Sequence, residues 1–163
     1  MASIVRRRIK FSGICLFLAY VSVLIYLLFF AESYGRGVDG AFYDYNIQPF
    51  REIRRYLDYW EILGVRTVFL NLAGNIIGFV PFGALLPIFT RSVRRLWKVT
   101  LLSLEISAII ELSQLVFRVG CFDVDDMILN TLGGFLGYFL FWTASKCYRR
   151  IETGRFGRSR RQI

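Results

Sequence analysis

Thr67-Val-Phe-Leu-Asn71-Leu-Ala-Gly-Asn75-Ile-Ile-Gly-Phe79-Val-Pro81-Phe-Gly83-Ala-Leu-Leu-Pro87-Ile-Phe89 decides how this chain is read. The run carries no charge and exceeds the ~20 apolar residues that a helix needs to cross a bilayer. Yet it holds two asparagines, four glycines if the flanking Gly64 is included, and two prolines. It is a membrane span, but not a plain lipid-facing anchor.

Three further apolar runs accompany it: Phe11 to Ala31, Trp97 to Phe117 and Met127 to Cys147. Across 163 residues the chain is 55% hydrophobic with a mean hydropathy of +0.47. The expected fold is all-α: an integral membrane bundle of four transmembrane helices, about 11–31, 67–89, 97–117 and 127–147. This domain fills residues 1–148, and a basic tail fills 149–163. A cleavable signal peptide competes for the first run, since Ala31 and Ser33 resemble a small-residue cleavage site. The run is longer than a signal core, which favours a retained helix.

The formal charge of +9 would suit nucleic acid if read alone. The cations instead flank the apolar runs, where topology signals lie, and no aromatic-interleaved basic patch appears. Four precede the first run, four lie between the second and third (Arg91, Arg94, Arg95, Lys98), and seven follow from Lys146 on. Four alternating helices put these fifteen on one side and the other six, spread among acids, opposite. The positive-inside rule then places both termini of a multi-pass membrane protein in the cytoplasm. A three-span arrangement would put the seven-charge tail outside. The tail reads most simply as a topology anchor on anionic lipid.

Between the first two runs lies a long outer segment, Glu32 to Arg66. Around Gly35, Gly37 and Gly40 it reads as flexible. After Pro49, the residues Phe50, Ile53, Leu57 and Trp60 recur at helical spacing among Arg51, Glu52, Arg54, Arg55 and Asp58. This is an amphipathic helix, lying on the outer membrane surface or packed on its own bundle.

Polar side chains at membrane depth are costly and mark candidate sites. Asn71 and Asn75 share one helix face, as do Asp126 and Asn130. Gly78 and Gly133 each follow the second residue of their pair, Asn75 or Asn130, by three residues, so spans two and four share a short pattern 55 residues apart. This reads as a weak parallel repeat or as chance. Glu111 and Gln114 occupy the outer half of span three. Asn71, Asn75, Glu111, Gln114, Asp126 and Asn130 thus fall at one level, with Arg118, Asp123 and Asp125 just above. The expected result is a polar cavity open to the outer face. The competing reading is interhelical glue, worth about 1 kcal/mol per bond, although clustered acids repel one another. Glu105 stands apart, deeper, to be paired with a base or held protonated. Gly133 and Gly137 form a small-residue stripe for close helix approach, and Pro81 is expected to kink span two.

With no histidine, the commonest general base and metal ligand is missing. Cys15, Cys121 and Cys147 lie at different depths and match no zinc spacing, so neither a disulfide nor a metal or cofactor site is expected.

Asn71-Leu-Ala-Gly-Asn75-Ile-Ile-Gly-Phe79-Val-Pro81-Phe-Gly83, Glu111-Leu-Ser-Gln114 and Phe122-Asp123-Val-Asp125-Asp126-Met-Ile-Leu-Asn130-Thr-Leu-Gly133-Gly134 resemble the VanZ-like family. So does Asn46-Ile-Gln-Pro49-Phe50, and the likeness covers roughly Asn46 to Tyr138. The resemblance implies a bacterial plasma-membrane protein of a family named after a teicoplanin-resistance protein.

Two mechanisms fit these residues. In the first, a non-catalytic protein binds a cell-envelope lipid or glycan. Asn71, Asn75, Gln114 and Asn130 bond its polar atoms, Arg118 meets a phosphate or carboxylate, and Glu111, Asp123 and Asp126 complete the site. In the alternative, an intramembrane enzyme uses Glu111 as acid and an exposed loop aspartate among Asp123, Asp125 and Asp126 as base, or holds a divalent cation on these acids. A transporter ranks third. Expected partners are membrane lipids and a lipid-linked envelope precursor or lipoglycopeptide, with homo-oligomers open and nucleic acid excluded.

Overall fold

The computed structural model describes residues 2–31 and 45–159, with side chains over 11–27 and 45–150. The glycine-rich stretch around Gly35, Gly37 and Gly40 lies outside the described residues, as do the side chains of Arg6–Lys10 and of the tail beyond Arg150. The elements in order are α1 (Ala2–Ala31), β1 (Tyr45–Asn46), α2 (Arg51–Asp58), α3 (Trp60–Leu63), α4 (Val65–Phe89), a 3-10 turn (Arg91–Val93), α5 (Leu96–Phe117), β2 (Phe122–Asp123) and α6 (Val124–Ser159). The all-α expectation holds. The one departure is a two-residue parallel pairing of β1 with β2, Tyr45 opposite Phe122 and Asn46 opposite Asp123.

Among the described residues three helices are long and apolar enough to cross a membrane: Val65–Phe89, Leu96–Phe117 and Val124–Arg150. At 1.5 Å per residue each exceeds the ~30 Å hydrocarbon core. Helix α1 is also long, and its apolar part with described side chains is Phe11–Leu27. Helix α4 stays helical through both Pro81 and Pro87. Nor does α6 break at the expected boundary near residue 148, since it continues to Ser159.

The outside of this bundle is apolar and the inside is partly polar. Leu16, Leu18, Val23, Phe69, Ile77, Leu101, Leu104, Ile109, Leu112 and Phe139 are exposed, whereas Ser103, Ser107, Glu111, Gln114, Asp125 and Asn130 are buried. Water would favour the reverse, and hydrocarbon favours this. Glu105 is the exception, an exposed acid midway along α5.

Helix α6 packs along α4 and α5. Its parallel course beside α4 follows from contacts that advance together: Gly133 meets Ile76 and Phe79, and Gly137 meets Val80 and Ala84. Against α5 it is antiparallel, since Gly134 meets Ser103 while Asn130 bonds Ser107. Glycine makes the α4–α6 approach possible. A Cβ on Gly83 would lie 2.0 Å from the Gly134 carbonyl oxygen, and one on Gly137 would lie 2.1 Å from that of Val80. Lipid tails are as apolar as leucine, so such close backbone packing is a main source of helix adhesion.

Helix α1 runs antiparallel to α4. Gly13 lies against Phe89, the Phe17 ring is 5.5 Å from that of Phe89 and 6.1 Å from that of Phe82, and Leu24 meets Gly78. The Tyr20 hydroxyl donates to the Gly78 carbonyl. That carbonyl lies three residues before Pro81, where the proline ring disturbs the helix ladder. The start of α1, the Arg91–Val93 turn and the C-terminal part of α6 therefore share one end of the bundle.

Gly83→Ala should destabilise the detergent-extracted protein by roughly 3 kcal/mol, the upper range for overpacking, because backbone rather than a side chain must move. Gly74 has nothing within 4 Å of its Cβ position, so Gly74→Ala should be neutral or stabilising by about 0.5 kcal/mol. Thermal melts of the two variants check both signs.

Candidate functional site

The site is built where α2, α4, α5 and α6 meet at the end away from Phe89. Helix α5 contributes a stripe of buried polar residues, Ser103, Ser107, Glu111 and Gln114, at spacings of four, four and three. Sequence reasoning found only the last two. The stripe was present in the spacing, but serine is small enough to pass as an ordinary residue of a membrane helix.

Helix α6 begins with Asp123, Asp125 and Asp126, and each takes a separate job. Asp123 is the residue before the helix, and its Oδ1 accepts the Asp125 N–H at 2.8 Å. This is the N-cap role, in which a short carboxylate satisfies an otherwise orphaned amide of the first turn. The same oxygen accepts from Asn46 Nδ2 at 2.9 Å. Glu111 Oε2 accepts the Asp123 N–H at 2.9 Å, so α5 supplies the second half of a capping box from another helix.

Asp125 caps a different helix. Helix α2 starts after Phe50, which adopts φ 66° and has no side-chain acceptor. A bulky residue in this left-handed region is an outlier that the surroundings must hold in place. The Asp125 carboxylate does so. It accepts the Phe50 N–H, the Glu52 N–H at 2.7 Å and the Ile53 N–H at 3.1 Å. Glu52 and Ile53 are the second and third helical positions, where an N-cap side chain normally bonds. A carboxylate 1% exposed thus latches the outer segment onto α6.

Asp126 faces α4, where its Oδ1 accepts from Asn75 Nδ2 at 2.5 Å. Tyr56 of α2 lies close by. Burial pushes its phenol above the usual 10, and the Asp126 charge acts in the same direction, so it holds its proton at physiological pH. Asn130 is fully buried, and its Nδ2 donates to Ser107 Oγ at 2.9 Å. Among the described residues the Asn130 Oδ1 has no hydrogen-bond partner, which leaves one acceptor of the inner network open.

These placements correct two expectations. None of the three aspartates is an exposed loop residue: Asp125 is buried, and Asp123 and Asp126 are half-buried. Each acid also has amide donors of its own, which offset part of the mutual repulsion. Their oxygens turn toward those donors, and among the described residues no three of the acids and cysteines are grouped to hold a metal ion. Among the described residues no two cysteines form a disulfide.

The remaining candidates divide. Asn71 is half-buried and donates back to the Thr67 carbonyl of its own helix at 2.8 Å. Gln114 is buried beside Glu111 on α5, while Arg118 is exposed and ends that helix with φ 57°. The paired pattern of α4 and α6 does not produce matching contacts, since Asn75 meets Asp126 whereas Asn130 meets Ser107. Asn46 and Tyr56 join the site without having been singled out for it.

Asp125→Ala should leave three amides of α2 without an acceptor, costing at least about 1.4 kcal/mol of docking. Tryptic cleavage at Arg51, Arg54 and Arg55 should then accelerate about tenfold or more with helix content unchanged, and Asp125→Asn should fall between. Unchanged cleavage would mean that other contacts hold α2.

Comparisons with known proteins follow the same boundaries. A family model, VanZ/LLP1, matches residues 17–145. Protein VanZ of Enterococcus faecium is 37% identical over 78 residues, 48% of this chain and 48% of that protein. The chain thus spans about half the length of the curated relative it matches. No solved structure matches. Because the family match takes in two of the span-length helices whole, most of the third and every residue of the buried acid network, the chain belongs to the VanZ/LLP1 family and is a multi-pass membrane protein.

Proposed function

We propose that this is a bacterial plasma-membrane protein with four spans and both termini in the cytoplasm. Its polar outer end binds the head of a cell-envelope lipid or glycan without turning it over, and thereby alters susceptibility to glycopeptide antibiotics of the teicoplanin type. The antibiotic link comes from the VanZ family name and from likeness to part of one such protein. The orientation is supported by the shared end of the basic segments, which the positive-inside rule assigns to the cytoplasm.

One observation carries the binding reading. Glu111, Gln114, Asp125 and Asn130 are at most 2% exposed, while Asn71, Asn75, Asp123 and Asp126 above and around them are half-buried. The α4–α6 seam already adheres through glycine, so polar glue is not needed there. The inner groups instead fix a rim on which the Asn75–Asp126 pair offers both donors and acceptors, with Asn71 nearby. Two of the carboxylates that an acid–base enzyme would use serve as helix caps, which favours binding over catalysis. Exposed Phe50, Leu57, Trp60 and Ile62 support α2 and α3 as a surface that rests on the outer leaflet.

Ile62 is 82% exposed. In a cysteine-free background, Ile62→Cys should react with a membrane-impermeant maleimide on intact cells, and a cysteine restored at position 147 should react only after lysis. The opposite pattern would invert the orientation. Asn75→Ala and Asp126→Ala should remove most of the effect of the protein on teicoplanin susceptibility while membrane levels stay within about twofold. Full activity of both variants would sink the rim as the working surface.

A further inference from the structure

At the opposite end of the bundle, α4 and α6 part company beyond the glycine seam. The space between their ends is a cleft of about 1020 Å³, at the upper limit of ordinary small-molecule pockets. Its floor is apolar and aromatic, with Ile88 of α4 and Leu140 and Trp142 of α6. Its mouth carries Arg94, from the turn before α5, and Arg149 of α6.

The arginines are held at fixed points. Arg94 Nε donates to the Pro87 carbonyl at 3.0 Å, which places the guanidinium over the last turn of α4. Among the described residues its terminal nitrogens have no other hydrogen-bond partner, so a planar fork of N–H donors is left for an acceptor. Tyr138 braces the turn from below, its hydroxyl donating to the Arg94 carbonyl at 3.0 Å. Arg149 Nε donates to the Ser145 carbonyl of its own helix at 3.2 Å. Lys146 lies alongside, its ammonium 4.7 Å from the Trp142 ring. Among the described residues no acidic side chain lines the cleft.

Any groove at the edge of a membrane bundle fills with some lipid. Charge and depth select which. Guanidinium forks recognise phosphate in a bidentate manner, and tryptophan and basic residues mark the headgroup level. We propose that this cleft binds one anionic phospholipid of the inner leaflet, with its phosphate on Arg94 and Arg149 and an acyl chain laid along Trp142, Leu140 and Ile88. Assignment to the inner leaflet rests on the orientation proposed above, but the binding itself does not, so maleimide labelling and lipid retention can fail separately. The site is distinct from the acid network, which lies at the other end of α6.

The test is native mass spectrometry of the full chain, extracted gently and offered equal phosphatidylglycerol and phosphatidylcholine. Retained phosphatidylglycerol should exceed phosphatidylcholine about tenfold. Arg149→Gln should reduce that preference several-fold, and Arg94→Gln with Arg149→Gln should abolish it. Since Arg94 also ties down α4, the single Arg149 variant carries the test if the double variant fails to fold. Arg91→Gln with Arg95→Gln, at the same end but outside the cleft, should leave the preference intact. Equal retention of both lipids would overturn the proposal. An equal loss in the control pair would also overturn it, because diffuse charge would then suffice. So would displacement by soluble glycerol phosphate as effective as displacement by intact lipid, because the apolar floor would then play no part.

Discussion

The distance between α4 and α6 governs everything else in this bundle. With Gly83, Gly133 and Gly137 at the seam, backbone meets backbone, and the parallel helices stay close enough for Asn75 to reach Asp126. Side chains of ordinary size there would push the axes apart and break that short bond first. The same approach sets Gly134 against Ser103, which brings α5 in and lets Asn130 find Ser107. Apolar adhesion and polar pairing are therefore successive results of one steric condition. In lipid the condition matters more than in water, because no hydrophobic driving force compensates for poor packing between helices.

The acid cluster shows how like charges coexist at low dielectric. Four carboxylates gather at one end of the bundle, yet each faces amide hydrogens. Glu111 and Asp123 complete the start of α6, Asp125 starts α2, and Asp126 takes the side-chain amide of Asn75. Unmet amides in the first turn of a helix carry partial positive charge, so the beginnings of two helices act as the counter-charge.

Much of this was legible in the residues. The apolar runs gave α4 and α5 closely, whereas α1 starts earlier, at Ala2, and α6 ends later, at Ser159, than their apolar runs do; the glycine stripe on α6 was visible as Gly133 and Gly137. The level of the polar groups followed from alternating helix direction. What the sequence hid was the partner of each group. Asp123 and Asp125 stand just before an apolar run, which is an N-cap signature. That signature was overshadowed by the reading of acids as chemistry. Asp125 also caps a helix that begins 75 residues earlier in the chain, and no local pattern can reveal a long-range cap. Phe50 is the counterpart: an aromatic residue at an N-cap position signals that the acceptor comes from elsewhere, but only once the helix boundary is known. The role of Gly83 is not visible in the sequence, because its contact with Gly134 needs the register of two helices.

The tether between Asp125 and the outer segment has a consequence for biosynthesis. Residues 45–58 leave the ribosome well before Asp125, and at roughly 5–20 residues per second the interval is roughly 4–15 s. During that time α2 has no cap and Asn46 has no strand to pair with. The amide hydrogens at the start of α2 must wait for the final helix to enter the bilayer. Docking of residues 45–58 therefore reports that the start of α6 is in place. A quality-control protease acting on that face would find its cleavable bonds open in unfinished chains and closed in finished ones.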